Sequence, residues 1–511
     1  MEIINSFMAW LFKSRLKQIE NFKSNPHQAQ KEIFDELIEA GKRTKFGKAH
    51  DFKHIKSYRD FVERVPIHDY ESIKPYIDQT MSGEQRVIWN TDIEWYAKSS
   101  GTTSSRSKYI PVSTESLEEC HYKGGKDLVS VYVKNNPDTK MFIGKNLAIG
   151  GSLEKNPLNP QGTAKAGDIS AVIMQNLPIW AQIIRTPSLE VALMDEWEAK
   201  IEKLARDTMD ENVVTITGVP TWTIVLLQKI LKLKNADNIL EVWPNLEVFF
   251  HGAVAFGPYR AVFEKLIPSS KMRYMETYNA SEGFFGLQDQ PDSDELLLML
   301  DYGIFFEFIP MEEWEKENPK VVPLGDVEVD KNYALLITTN GGLWRYKIGD
   351  TIKFTSTEPY RFRISGRTKH FINAFGEEVI VENAEKAIQK AADETSATIS
   401  NFTAAPVYFG GDGSKGAHEW IVEFDSSPKD LDEFSALLDK NLREINSDYD
   451  AKRYKDLALT EPIIHQAPSG IFNNWLAKRG KLGGQHKVPR LSNERTFLEE
   501  ILEMIPEETN S

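Results

Sequence analysis

The sequence predicts an α/β protein: a large body of mostly parallel sheets flanked by helices, a smaller and more antiparallel strand-rich part on the same body, and a small α+β tail. Three observations lead there. Between residues 94 and 375, short β-rich runs alternate with helical segments. Within that span, from 295 to 364, strand signals crowd together with little helix between them. After Arg367 helices and strands mix over a stretch long enough for a domain of its own.

Taken in order, the apolar run 3–12 continues to residue 22 as an amphipathic first helix. It is too short to span a bilayer and carries no small-residue cleavage site. Residues 28–41 form a second helix, and Pro66 within Val65-Pro66-Ile67-His68-Asp69-Tyr70 makes helix continuation unfavourable. Residues 212–218 read as a buried strand followed by a helix over 223–233, and 246–252 and 272–278 repeat the strand signal. The crowded strands fall in 295–308, 325–339 and 342–364. In the tail, 377–391 and 431–446 are helical, 405–409 and 419–424 are strands, and a basic loop runs over 478–490. The domain division follows as 1–367 and 368–511, with Thr368 and Lys369 as the hinge.

Length and composition narrow the function. The chain has 511 residues, enough for two to four domains with a sizeable core. Sixty-one Lys+Arg against 76 Asp+Glu leave a net charge of -15, which argues against a nucleic-acid partner. The single cysteine, Cys120, excludes a disulfide framework and thiolate-rich metal sites and fits a reducing compartment. With no long apolar run, the expectation is a cytoplasmic protein without a membrane partner, and nothing in the chain calls for more than a monomer.

The most informative stretch is Ser99-Ser100-Gly101-Thr102-Thr103-Ser104-Ser105-Arg106-Ser107-Lys108. Its hydroxyls, glycine and two cations supply what an oligophosphate needs: donors, close backbone approach and positive charge. The G-x4-G-K-[S/T] spacing of a P-loop is absent. The same residues could equally form a solvated Ser/Thr linker. Further on, residues 276–283 (Glu-Thr-Tyr-Asn-Ala-Ser-Glu-Gly) follow a strand and put a carboxylate beside a hydroxyl, a pairing suited to a magnesium ion bridging phosphates, with a tyrosine able to stack on a base. Residues 343–350 end in Gly349-Asp350, an acid after a tight turn whose two oxygens could accept both ribose hydroxyls. Singly, each has a plain structural alternative: Tyr278 in a core, Glu282 at a helix start, Asp350 in a turn.

In this order the segments resemble the adenylate-forming, firefly luciferase-like superfamily, and within it the Gretchen Hagen 3 family of auxin-responsive acyl-acid amido synthetases. That family carries a Ser-Ser-Gly-Thr-(Ser/Thr)-x-Gly-x-x-Lys loop, a Tyr-x-x-Ser-Glu element and a Tyr-Arg-x-Gly-Asp element. Here they stand as Ser99 to Lys108, Tyr278 to Glu282 and Tyr346-Lys347-Ile348-Gly349-Asp350. Thr44-Lys45-Phe46-Gly47, Val65-Pro66-Ile67, Phe306-Glu307-Phe308-Ile309-Pro310, Gly366-Arg367 and Gln485-His486-Lys487-Val488-Pro489-Arg490 are similar landmarks. Two positions depart: Ser105 stands where the loop has its second glycine, and Lys347 replaces the arginine, although Arg345 lies two residues earlier.

The resemblance implies an adenylate-forming fold with a β-barrel-like subdomain, ATP and Mg2+ as cofactors, and a small carboxylic acid and an amino acid or other amine as substrates. It implies that Ser99, Ser100, Gly101, Thr102 and Thr103 hold phosphates and that Lys108 supports the loop. Tyr278 and Ala280 would flank adenine beside Ser281, Glu282 would take the metal, and Asp350 would bind ribose. Arg367 would lie near the ribose or α-phosphate, and Lys487 would approach the phosphates, with Lys478, Arg479 and Lys481 as competitors. Residues 172–180 and 218–222 are apolar and near where the superfamily lines its acid site, but such residues within an α/β body are more often plain core. An acyl-CoA ligase, or a nucleotide-binding protein without catalysis, would carry the same first half of the pattern. Residues 411–416 match G-x-G-x-x-G, but a strand follows where a dinucleotide site needs a helix, so they read as a hairpin loop.

Overall fold

The computed structural model describes residues 14–99, 108–253, 256–314, 316–368, 371–372, 379–407, 416–446, 449–450, 453, 459–481, 488–492 and 495–506. The chain divides into two compact units, Met1–Val254 with Leu266–Ile348 and Ile352–Ile364, and Ala255–Lys265 with Gly349–Thr351 and Ser365–Ser511.

Strands are numbered along the chain: β1 (Trp95–Ser99), β2 (Lys108–Val112), β3 (Lys145–Ala148), β4 (Leu153–Lys155), β5 (Lys165–Gly167), β6 (Arg185–Thr186), β7 (Val213–Gly218) and β8 (Val248–Gly252). There follow β9 (Arg273–Ala280), β10 (Gly283–Leu287), β11 (Leu296–Leu298), β12 (Ile304–Pro310), β13 (Val322–Pro323), β14 (Asn332–Thr339), β15 (Tyr346–Thr357) and β16 (Tyr360–Arg367). A four-stranded sheet has the order β2-β1-β5-β4, and a twelve-stranded sheet the order β13-β12-β14-β15-β16-β11-β10-β9-β8-β7-β3-β6.

From β6 to β9 every pair in the large sheet is parallel. Apolar runs such as Val248-Phe249-Phe250 lie buried there, as a sheet covered on both faces requires. The β9–β10 pair reverses direction, and the strands read at 295–364 continue the same sheet edge to edge in antiparallel pairs. β9 runs two residues past Tyr278, because Asn279 and Ala280 pair with Phe284 and Gly283. Glu276 to Ala280 therefore lie inside the strand rather than after it.

Buried charge ties the helical N-terminal region to this sheet. In the helix over residues 14–24, Arg15 Nε donates to Asp127 (2.8 Å) and Nη2 to Asp301 (2.7 Å). The proline break at 65–68 also finds its use. His68 N–H donates to Arg345 O and Lys347 N–H to His68 O, each at 2.8 Å, so the chain lies along the start of β15. Arg345 does not stand in for the missing arginine of the third element. It is buried at a left-handed φ of 44°, with Nε and Nη2 each 3.0 Å from Glu307 and Nη1 donating to Val65 O. Tyr58 OH donates to the same carboxylate at 2.8 Å.

The second unit builds a three-stranded sheet from β19 (Thr398–Val407), β20 (Ala417–Ser426) and β21 (Ile463–Ala467), preceded by a two-stranded ribbon of β17 (Phe371–Ile372) and β18 (Val379–Ile380). Helices Val381–Thr395 and Leu431–Ile445 bury Ile388, Phe434 and Leu438 with Phe402 and Trp420 of the sheet. The glycine pattern's residues 411–415 lie outside the described residues, but Val407 and Ala417 on either side are antiparallel partners, as in a hairpin.

Removing one partner of a buried ion pair strands the other's charge. Glu307→Leu is therefore expected to lower stability by about 3–5 kcal/mol, and adding Arg345→Met to recover most of that loss. The midpoint of the first urea unfolding transition checks both.

Candidate active site

In an open sheet of parallel strands, ligands bind beyond the carboxyl ends. Here β3, β7, β8 and β9 all run the same way, with Leu147 opposite Ile216, Gly218 opposite His251 and Gly252 opposite Thr277. Their ends deliver Ile149-Gly150-Gly151, the start of the helix Pro220–Lys234, His251-Gly252 and Ala280-Ser281-Glu282 to one edge of the first unit. A Cβ on Gly252 would fall 2.4 Å from Thr277 O, so the backbones touch there. Of the apolar candidates, Val172 and Met174 are buried in the helix Ile169–Gln175, where Met174 packs with Ala148 beneath the end of β3.

The tyrosine-to-glutamate element forms the β9–β10 corner. Ala280 and Gly283 are paired, leaving Ser281-Glu282 as a two-residue turn. Gly283 has no room for a Cβ, which would meet Ile304 Cδ1 at 2.6 Å. Ser281 is buried and Glu282 half-buried. Tyr278 is 6% exposed, its ring 4.8 Å from that of Phe285 and 6.1 Å from that of Phe362, so one side of it is committed to the core.

Ser99 and Lys108 are cross-strand partners, so the hydroxyl-rich segment is the loop of the β1–β2 hairpin and not a linker. Ser100, Gly101, Thr102 and Thr103 lie outside the described residues. The base of the hairpin is gripped on two sides. Tyr109 N–H donates to Tyr70 OH (2.8 Å), and Lys108 Nζ lies 5.7 Å from the centre of the Tyr70 ring. Tyr109 OH and Lys98 Nζ both donate to Glu154, at 2.9 and 2.7 Å. The chain leaving β2 then reaches the β9–β10 corner: His121 Nδ1–H donates to Asn279 Oδ1 (3.0 Å), and Phe284 N–H donates to Cys120 Sγ (3.1 Å). Burial pushes the Cys120 thiol up to about 12, which rules it out as a nucleophile at neutral pH.

Asp350 is buried within β15 rather than at a turn after it. Gly349 reaches φ 88° while the strand continues, and its carbonyl accepts the Thr368 N–H at 2.8 Å. Arg367 closes β16. Lys487 and Lys369 lie outside the described residues. Among the described residues no cluster of three His, Cys, Asp or Glu could hold a metal ion by itself. A magnesium ion carried on phosphates needs only one or two protein carboxylates, and half-buried Glu282 at the strand-end corner fits that demand.

Sequence reasoning missed His121, Asp168, Lys200 and the pair Gly150-Gly151. The glycine pair had a local signal, two glycines directly after an apolar run, whereas the other three matter through partners distant in sequence.

Two solved structures share the overall architecture: the GH3.15 acyl acid amido synthetase, with TM-score 0.77 and 18% identity over 96% of each chain, and 2-hydroxyisobutyryl-CoA ligase in complex with 2-HIB-AMP, with TM-score 0.58 and 12% identity over 93% of this chain and 91% of that one. The fold is that of the adenylate-forming enzymes. Within that class, the sequence patterns of the GH3 family N-terminal, central and C-terminal domains match residues 15–272, 297–367 and 382–496, and the chain belongs to the GH3 family. Indole-3-acetic acid-amido synthetase GH3.3 of Arabidopsis thaliana is 22% identical over 93% of this chain and 91% of its own.

Burial lowers the His121 pKa to about 4, against about 6.5 when exposed. The unfolded chain therefore binds this proton first. Its stabilising contribution is complete above pH 6.5 and is lost as pH falls toward 4, by up to about 3 kcal/mol. Urea unfolding at pH 7, 5.5 and 4.5 should show His121→Gln losing less stability on acidification than the unmodified protein.

Proposed function

We propose that this protein is an ATP-dependent acyl-acid amido synthetase. The observation that carries the reading is the ordered match of all three GH3 domain patterns along the chain. A carboxylate is a poor acyl donor because oxide is a poor leaving group. In the first half-reaction a carboxylate oxygen bonds to the α-phosphorus of ATP, the bond to the bridging oxygen breaks, and pyrophosphate departs. In the second, an amine attacks the acyl carbon of the mixed anhydride, the bond to AMP breaks, and the amine gives up a proton.

Residue roles belong to the same proposal. Ser99 to Thr103 and Lys108 hold the phosphates, Tyr278, Ala280 and Ser281 border the adenine, and Asp350 takes the ribose. Glu282 is the ligand for Mg2+, which would neutralise phosphate charge when bound. Arg367 and Lys487 stabilise negative charge around the α-phosphate. The reading includes a division at 367/368 and a C-terminal domain that rotates between the half-reactions. It includes action as a cytoplasmic monomer without nucleic-acid or membrane partners. In support, no helix among the described residues is long and apolar enough to cross a membrane. The acid is a small organic one, and the amine an amino acid.

The fold shared with 2-hydroxyisobutyryl-CoA ligase supports a second reading, transfer to coenzyme A. A pyrophosphate-release screen over aryl, indolyl and aliphatic acids, with amino acids or coenzyme A as second substrate, separates the two. Acid-dependent release with an amide product is expected, and a thioester with no amide would overturn amidation. ATP binding with no AMP formed from any acid would instead mark a nucleotide sensor. Glu282→Ala and Lys108→Ala should each lower kcat/KM for ATP by about a hundredfold, with an unchanged melting temperature.

A further inference from the structure

We infer that Lys200 is a positioning residue for acid activation: an internal ammonium that fixes the Gly150-Gly151 corner at the carboxyl edge of the parallel strands. The inference rests on the acyl-acid reading above. Lys200 lies in the helix Trp197–Thr208 and is 2% exposed. Its Nζ donates to three backbone carbonyls, Gly150 O at 2.6 Å, Gly151 O at 3.0 Å and Met194 O at 3.0 Å. An ammonium has three protons to give and a neutral amine only two, so the charged form alone serves all three acceptors.

The corner it holds is closely packed at both glycines. A Cβ on Gly150 would sit 2.7 Å from Met174 Sδ, and one on Gly151 would sit 1.9 Å from Asp168 Oδ2. Gly151 N–H donates to Ser170 Oγ (3.0 Å) and Ser152 N–H to Asp168 Oδ2 (2.8 Å), so the outgoing chain is fixed by its amides while Lys200 fixes its carbonyls. Immediately upstream, Ile149 N–H donates to Thr217 O (3.1 Å), keeping β3 in register with β7 up to the corner. A ligand seated beyond the ends of β3 and β7 meets this backbone.

The surroundings give the device a pH dependence. Burial lowers the Lys200 pKa to about 8, with the charges of Asp168 and Asp195 acting against the shift. Asp168 is itself pushed up by burial and faces Lys98 and Glu154 as well. As pH rises through about 8, Lys200 loses one donor and one carbonyl of the corner loses its partner. Global stability does not fall for that reason, because a lysine with a lowered folded pKa favours the fold more as its proton leaves. The corner loosens while the fold holds.

The full chain tests this in two ways. In acid-dependent pyrophosphate release, KM for the acid should rise between pH 7.5 and 9, and Lys200→Met should raise it about tenfold at pH 7.5 and flatten that rise. The kcat should stay within about threefold, since the corner positions and does not react. Hydrogen exchange at Gly151 and Ser152, corrected for intrinsic pH dependence, should lose protection above pH 8 and in Lys200→Met. A KM for the acid independent of pH and of this substitution, or unchanged exchange at both amides, overturns the inference. If the unmodified protein releases no pyrophosphate with any acid, the functional reading fails instead, and exchange alone decides whether Lys200 holds the corner. Should Lys200→Met not fold, the pH series on the unmodified protein decides.

Discussion

Parallel register is the constraint on which the candidate site depends. Because β3, β7, β8 and β9 are hydrogen-bonded in parallel, their carboxyl ends cannot be dealt to opposite edges of the sheet. Four chain segments from residues 149 to 282 are thus forced to one edge. The packing there is backbone on backbone at Gly252 and backbone on side chain at Gly151. Gly252 lies against Thr277, and Gly151 closes on Asp168, with no volume left for a side chain at either glycine. Such corners give fixed peptide groups, the element a site needs when it must present oriented dipoles to charge that appears only during reaction.

The hydroxyl-rich loop is attached to that edge by a different means. Its two ends are locked as an antiparallel pair at Ser99 and Lys108, and the chain beyond is bolted to the sheet by His121 on Asn279 and Cys120 on Phe284. The bolts are buried and uncharged. Burial keeps the imidazole neutral and the thiol protonated, so neither bond changes over the physiological pH range. A hairpin anchored in this way keeps its two ends, Ser99 and Lys108, in register.

Much of this was legible in the sequence, for identifiable reasons. Buried strands announce themselves as apolar runs, so β7, β8 and β9 were found within a few residues, as was the helix after β7. The β1–β2 loop was found by its composition, which is local. What composition could not distinguish was a loop from a linker, because the deciding fact is the pairing of Ser99 with Lys108. The turn expected at Gly349 is a strand interior instead. A positive φ of 88° lets β15 bend there without ending, a choice set by its sheet neighbours and by the Thr368 amide. Arg345 misled for a similar reason. Its closeness to the family element is a matter of numbering, whereas its guanidinium belongs to Glu307, 38 residues away.

The departure at Lys347 now takes on physical meaning. An arginine offers a planar fork able to grip two oxygens at once, and a lysine offers a single point of charge. In this chain Nζ lies 4.7 Å from the centre of the Trp314 ring, and against its partial burial Asp69 is kept ionised by the Ser72 N–H and hydroxyl first and by the Lys347 charge after them. A cation over an aromatic face is oriented by that ring. In the proposed reading, the third element of this protein therefore contributes Asp350, while the Lys347 ammonium is turned toward the Trp314 ring.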